Sequence, residues 1–304
     1  MLKKIRDSIL REMTSNKDYI TSVTDGLTGP LRYYYWKDTP NFGDRLMPII
    51  INHFFPDITI KSVSADNAEL FGVGSVLTIF NRWRFRHLLY NGRRKNRIFW
   101  GSGMLMPDEN TYTPSSTIVL IRGELSRYHM NIDSKIPLGD PGLLMSLIIK
   151  RKQNSGKIVI VPHFSDFNNR KLMKFKNHSK FEIVDVRSEP IEVIKTISSA
   201  AVVLGSSLHA LIIADSYGIP NFLYDISESM DYFKYDDYYS ATGREKIIIN
   251  DSNELLNRES YDKLIMQYKQ VANLSQIQKR ILDSFPFKTM DDVVEWRKSN
   301  RGLN

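Results

Sequence analysis

The sequence predicts an α/β protein: two lobes, each built on a parallel sheet. Three observations carry this expectation. Apolar strand-like runs alternate with helix-like runs along the chain. The 304 residues are enough for two domains of about 150 residues each. A Pro/Gly break, Pro137-Leu138-Gly139-Asp140-Pro141-Gly142, falls near the middle. The expected lobes are residues 31–145 and 146–304, preceded by a helical extension over 1–30. Two such lobes leave a cleft, a common ligand site.

In the extension, Leu2, Ile5, Ile9 and Leu10 share one face of an amphipathic helix. Such a face rests on the domain or on a membrane. In the first lobe, residues 31–36 predict a strand, 45–54 a helix, and 58–63 and 70–73 further strands. Residues 97–100 form another strand, running into Gly101-Ser102-Gly103, and 117–121 the last, running into Arg122-Gly123. Residues 143–150 predict a helix. In the second lobe, 157–161 predict a strand ending in Pro162-His163, and 181–186 and 200–204 two strands with a helix between them. Residues 221–224 predict a short strand, and 264–285 a helix that packs back across the lobes.

Composition narrows the function. With no cysteine, disulfide scaffolds, thiolate metal sites and cysteine nucleophiles are excluded, which fits a cytoplasmic protein. No apolar run approaches the ~18–20 residues of a membrane helix. The net charge of +8 is concentrated: Arg82, Arg84, Arg86, Arg93, Arg94, Lys95 and Arg97 lie together without an acidic residue, interleaved with Trp83 and Phe85. Such a cluster suits a solvated loop, or peripheral contact with an anionic membrane or diphosphate headgroup. No nucleic-acid motif accompanies it, so nucleic acid is not an expected partner.

The strand ends carry the candidate chemistry. Gly205 closes an apolar run, and Ser206 or Ser207 is placed to cap the helix that follows. The N–H groups at Ser206, Ser207 and Leu208, with the positive dipole end, suit a phosphate or carboxylate. His209 falls in that helix's first turn, either as an acid–base catalyst or as a packed core residue. His163 has the same placement after its own strand. Asn41 and Asp44 either cap the next helix or face the cleft. Gly74, Ser75 and Gly103 lie in small-residue turns where backbone can approach a ligand. Arg122 ends a buried strand, either clamping an anion or pairing with Glu124 or Asp140, and Ser126 adds a hydroxyl one turn on. The cluster Lys234-Tyr235-Asp236-Asp237-Tyr238-Tyr239-Ser240 offers rings and carboxylates to a sugar, or is a surface turn. There is no GxGxxG, GxxxxGK[ST] or HExxH motif and no convincing third ligand, so neither a dinucleotide, a P-loop nucleotide nor a metal is expected.

Taken in order, Asn41-Phe42-Gly43-Asp44, Gly72-Val73-Gly74-Ser75, Arg122-Gly123-Glu124-Leu125-Ser126, Gly139-Asp140-Pro141-Gly142, Val161-Pro162-His163 and Ser206-Ser207-Leu208-His209-Ala210-Leu211-Ile212 resemble the polysaccharide pyruvyl transferase family over roughly residues 31–224. The resemblance implies a GT-B-like fold of two Rossmann-like lobes. It implies transfer of the enolpyruvyl skeleton of phosphoenolpyruvate to a sugar of a bacterial surface polysaccharide (exopolysaccharide, capsule or lipopolysaccharide), forming a pyruvate ketal and releasing phosphate. Phosphoenolpyruvate is then a donor substrate and no cofactor is implied. The implied acceptor is a polyprenyl-diphosphate-linked oligosaccharide at the inner membrane face.

Under this resemblance, a charged His209 protonates the donor's methylene carbon, Asp44 or His163 is the base, and Arg122 holds the carboxylate or phosphate. One departure is plain: many members carry an arginine where this chain has Ser207, so either the phosphate clamp is reduced or another cation, Arg122, Arg170 or Lys234, replaces it. Two rival readings stay open. One is a glycosyltransferase of the same architecture using a nucleotide sugar, with Glu189 or Glu192 as a ribose-binding acid. The other is a non-catalytic sugar-binding protein.

Overall fold

The computed structural model describes residues 26–79, 96–107, 116–228, 230–251 and 256–301. Residues 1–25 of the N-terminal extension and most of the basic cluster, including Trp83 and Phe85, lie outside the described residues. Arg97 is described, and it is not on a surface patch: it starts a strand and is 2% exposed.

Two five-stranded sheets form the frame. The first has strands β1 (Leu31–Tyr34), β2 (Ile60–Ser62), β3 (Leu70–Phe71), β4 (Arg97–Ser102) and β5 (Ser116–Ile121), in the order β2-β1-β3-β4-β5. The second has β6 (Ile158–Val161), β7 (Phe181–Ile183), β8 (Val202–Gly205), β9 (Asn221–Tyr224) and β10 (Ile248–Ile249), in the order β10-β9-β8-β6-β7. Every pairing is parallel. Parallel sheets are covered on both faces, which is why β6 and β8 are uninterrupted apolar runs, buried throughout.

Both sheets follow the same doubly wound order. Counted from its own first strand, each runs 2-1-3-4-5, and the strand order reverses between the first and third strands. Ligands of such sheets bind at the carboxyl ends of the strands flanking that reversal. In this chain these are β1 and β3 in one lobe and β6 and β8 in the other.

Helix α1 (Leu46–Phe54) buries Leu46, Met47, Ile50 and Ile51. Between the sheets the chain forms α2 (Glu124–His129), then a 3₁₀ turn (Pro141–Leu144) that runs into α3 (Met145–Ile148). Of the expected 143–150 helix, residues 143–144 are 3₁₀, 145–148 are α-helical and 149–150 lie outside, because Pro141 and the Asp140 cap start the turn early. Helix α4 (Pro190–Ser198) precedes β8, and α5 (Leu208–Ser216) follows it with all nine residues buried. The 3₁₀ turn packs against both α1 and α5, so it wedges between the lobes.

The cluster read as a sugar-facing segment or a surface turn is instead a helix, α6 (Phe233–Thr242), with Tyr235, Asp237, Tyr238 and Tyr239 buried. The helix expected over 264–285 is two, α7 (Arg258–Gln267) and α8 (Leu274–Ser284). The break falls where Tyr268 turns extended and Asn273 takes a left-handed φ of 54°. Helix α8 does pack back on the first lobe: Trp100 Nε1 of β4 donates to the Ile281 carbonyl at 3.1 Å, and Gln278 Nε2 donates to the Leu143 carbonyl at 2.8 Å. The last helix, α9 (Met290–Arg301), sends Arg297 to Glu69, with nitrogen–oxygen distances of 2.8 and 2.7 Å. No described helix is long and apolar enough to cross a membrane.

Candidate active site

The α5 N-terminus stands at the β8 end, and His209 occupies its first turn. The loop after β1 brings Gly43 against the imidazole: a Cβ on Gly43 would fall 2.1 Å from Nδ1. His209 is 8% exposed, and its Nε2 is buried with no hydrogen-bond partner among the described residues. Burial first, then the charges of Arg122 and Lys234, push its pKa down to about 3. The expectation of a resident charged imidazole is corrected: these surroundings keep it neutral at pH 7. An anion placed beside it acts in the opposite direction.

The turn before α5 is held by its own hydrogen bonds. Ser206 Oγ donates to Asp166 Oδ2 at 2.5 Å and accepts from the His163 backbone N–H at 2.8 Å. Tyr235 Oη donates to the Ser206 carbonyl at 2.7 Å. Ser206 thus braces the turn, and Ser207, though at the N-cap, makes no side-chain capping bond. The Ser207 N–H donates to the Val161 carbonyl at 3.3 Å, so what the turn leaves for a ligand is the first N–H groups of α5 itself, at Leu208 and His209, which have no acceptor inside a helix.

From the first lobe, Asn41 Oδ1 accepts from the Gly43 N–H at 3.0 Å and closes a turn, so Asn41 shapes the loop. The N-cap of α1 is Arg45 and no side chain caps it, so the capping role for Asp44 is not realised. Asp44 is half-buried beside the β3 turn, where a Cβ on Gly74 would lie 3.0 Å from Oδ1. Burial raises its pKa to about 7 against the pull of Lys234.

Arg122 forms a buried ion pair, and its partner is Asp237, neither Glu124 nor Asp140. Its Nε donates to Asp237 Oδ2 at 2.9 Å, Nη1 to Ser75 Oγ at 2.8 Å and Nη2 to the Met104 carbonyl at 2.6 Å. Glu124 pairs with Arg127 instead. Ser126 and Asp237 belong to the same network. Ser126 Oγ donates to Asp237 Oδ2 at 2.6 Å and accepts from the Met104 N–H at 2.9 Å, while its backbone N–H donates to Asp237 Oδ1 at 2.7 Å. A Cβ on Gly103 would fall 2.3 Å from the Arg122 guanidinium carbon, so its smallness makes room for Arg122. Ser75 remains half-exposed at the edge of the group.

Lys234, in the first turn of α6, is drawn to Asp44, Asp166 and Asp231 and repelled by Arg122; burial is the largest influence and lowers its pKa to about 8. His163 Nδ1 shares a hydrogen bond with Ser165 Oγ at 2.8 Å. Burial, then Lys234, lowers its pKa to about 4. Arg170 is exposed at the start of a 3₁₀ turn (Arg170–Phe175). Asp166 is the residue of this group that the sequence reading does not single out, and Tyr235 supports the turn rather than standing in a surface turn. Asp166 shares the β6-end loop with His163, three residues on, and that spacing was the available signal.

Against this geometry, the family model for polysaccharide pyruvyl transferase matches residues 7–228, most of the chain. The chain belongs to the polysaccharide pyruvyl transferase family. An uncharacterized protein of Acanthamoeba polyphaga mimivirus is 26% identical over 231 residues, covering 70% of this chain and 75% of that protein. The succinoglycan biosynthesis protein ExoV of Rhizobium meliloti is 24% identical over 217 residues, covering 70% of this chain and 65% of ExoV. Among solved structures, a variant of the wall teichoic acid polymerase TagF aligns over 98% of this chain and 97% of its own, with a TM-score of 0.47 at 11% identity.

In this pyruvyl transferase family member, the acids considered for a nucleotide's ribose are engaged elsewhere. Glu189 accepts from Arg45 Nη2 at 3.1 and 3.2 Å, and Glu192 pairs with Lys195 at 2.7 Å, all four side chains reaching toward solvent.

Proposed function

We propose that this transferase moves the enolpyruvyl skeleton of phosphoenolpyruvate onto a sugar of a surface polysaccharide repeat unit, forming a cyclic pyruvate ketal and releasing phosphate. The observation that supports it best is the buried Nε2 of His209, unpartnered among the described residues, at the N-terminus of α5, with Lys234 close enough to act electrostatically on both His209 and Asp44. Family membership and the relationship to a succinoglycan biosynthesis protein favour the same substrate class.

The donor is a small anion carrying both phosphate and carboxylate. The α5 N–H groups and the ammonium of Lys234 attract it. Its charge raises the pKa of His209, so the imidazole takes up a proton as the donor binds. His209 gives that proton to the methylene carbon, which becomes a methyl group, and the central carbon becomes electron-poor. One sugar hydroxyl bonds to that carbon and passes its proton to Asp44. A second hydroxyl then forms the other C–O bond and the C–O bond to phosphate breaks. The second hydroxyl's proton returns to His209, and the proton on Asp44 leaves with hydrogen phosphate. Asp44 serves better than His163 as the base, because its pKa near 7 matches the working pH while that of His163 lies near 4.

The test is phosphate release from phosphoenolpyruvate with a panel of lipid-linked and nitrophenyl-tagged hexosides, products read by mass. The expected result is acceptor-dependent release with the mass gain of a ketal, reduced about 10²–10⁴-fold in His209→Ala. Stabilisation by a nucleoside diphosphate and none by phosphoenolpyruvate would replace this reading with the nucleotide-sugar one.

A further inference from the structure

We infer that Lys234, in the first turn of α6 and beyond the stretch matched to the family, is the cation that holds the donor's phosphate. This rests on the reading of the α5 N-terminus as the donor site and adds the residue that makes it an anion site.

The argument begins with what is already engaged. Arg122 is tied to Asp237, Ser75 and Met104, and Arg170 is exposed. Lys234 differs from both. Its ammonium makes no hydrogen bond and no close ion pair among the described residues; it lies over the Tyr235 ring, 4.9 Å from Nζ to the centroid. A largely desolvated cation without a hydrogen-bonded counter-charge is costly to keep and is an indication of a role.

The position is fixed from both sides. Tyr235, the next residue, donates to the Ser206 carbonyl in the turn that opens α5. Asp237, one helical turn on, anchors to Arg122 and Ser126 of the first lobe. Lys234 is therefore carried on a helix that touches both lobes, and it interacts electrostatically with His209, His163 and Asp44. The carboxylates that attract it, Asp44, Asp166 and Asp231, make no hydrogen bond to it among the described residues. Asp44 is half-protonated near pH 7, Asp166 is hydrogen-bonded to Ser206, and Asp231 is exposed. An ammonium on a flexible stem beside a helix N-terminus matches phosphate as a point charge.

The experiment uses the full chain and its Lys234→Gln and Lys234→Met variants, with inorganic phosphate and phosphoenolpyruvate as probes in calorimetric titration. Both variants are expected to weaken both anions by about tenfold or more. They are also expected to unfold at the same or a higher temperature than the parent, because a poorly compensated buried charge has been removed. In the steady state the KM for phosphoenolpyruvate should rise more than kcat falls, and Lys234→Arg should restore much of the affinity. Unchanged anion affinity in Lys234→Gln and Lys234→Met overturns the inference, as does failure of the parent protein to bind either anion. Loss of phosphate binding in the variants, with no pyruvyl transfer by the parent, upholds the anion site and removes the reaction. Transfer that is indifferent to Lys234 upholds the reaction and removes the inference.

Discussion

Arg122 and Asp237 pair across the two lobes, Nε to Oδ2 at 2.9 Å, with side chains 1% and 0% exposed. Their contact joins the end of β5 to α6, 115 residues apart in the chain. Removing one partner leaves the other charge buried. Asp237→Ala should cost about 3–5 kcal/mol in urea denaturation, and the double variant Arg122→Met, Asp237→Leu should recover a substantial part of it. A loss under 1 kcal/mol in the single variant would mean that water reaches the pair.

Gly43 and His209 are in contact so close that no side chain fits between them. Gly43→Ala should lower stability by about 1–3 kcal/mol through overpacking and should displace the imidazole. Phosphate release should fall sharply while far-UV circular dichroism stays unchanged. Parental activity in this variant would show that the ring position is not critical.

The buried histidines set the acid side of the stability curve. His209 has a folded pKa of about 3 against an ordinary 6.5. Above pH 6.5 neither state is protonated, and the group's contribution is fully present. As pH falls from 6.5 toward 3, the unfolded chain takes up a proton that the folded chain refuses, and stability is lost. His163 acts in the same sense down to about 4. Asp140 and Asp44, raised to about 6 and about 7, act in the opposite sense. His209→Asn keeps these three groups and removes one, so it should lose less thermal stability than the parent between pH 7 and pH 4. Equal losses would place the proton uptake elsewhere.

Asp44, as base, must be ionised before the acceptor binds. The acceptor-dependent rate should therefore rise with pH through about 7, where its carboxyl titrates. Asp44→Asn should lower kcat about 10²–10⁴-fold and flatten that limb, while phosphate binding at the α5 end is retained. A limb that persists in Asp44→Asn would assign the base to another group.

Much of this was legible along the chain. Strands buried on both faces must be continuous apolar runs, so Ile158–Val161, Val202–Gly205 and Asn221–Tyr224 announce themselves. The small and capping residues where those runs stop mark the turns that carry Asp44, Gly74, His163 and His209. Such signals are local, and local signals survive in one dimension.

Other features depend on residues far apart in sequence. Nothing near Arg122 names Asp237 as its partner, and Glu124 and Asp140 were nearer choices by sequence. The aromatic and charged mixture over Phe233–Thr242 resembles a surface turn until the lobes close on it and bury Tyr235, Asp237 and Tyr238. The charge on His209, the freedom of Lys234 and the engagement of Ser126 and Ser206 follow from desolvation and from which donors and acceptors meet. The sequence by itself determined where the strands end and which reactive residues stand there. Only the tertiary structure decided which of those residues are held by one another and which are left to a ligand, because burial and pairing energies depend on distances that chain order does not contain.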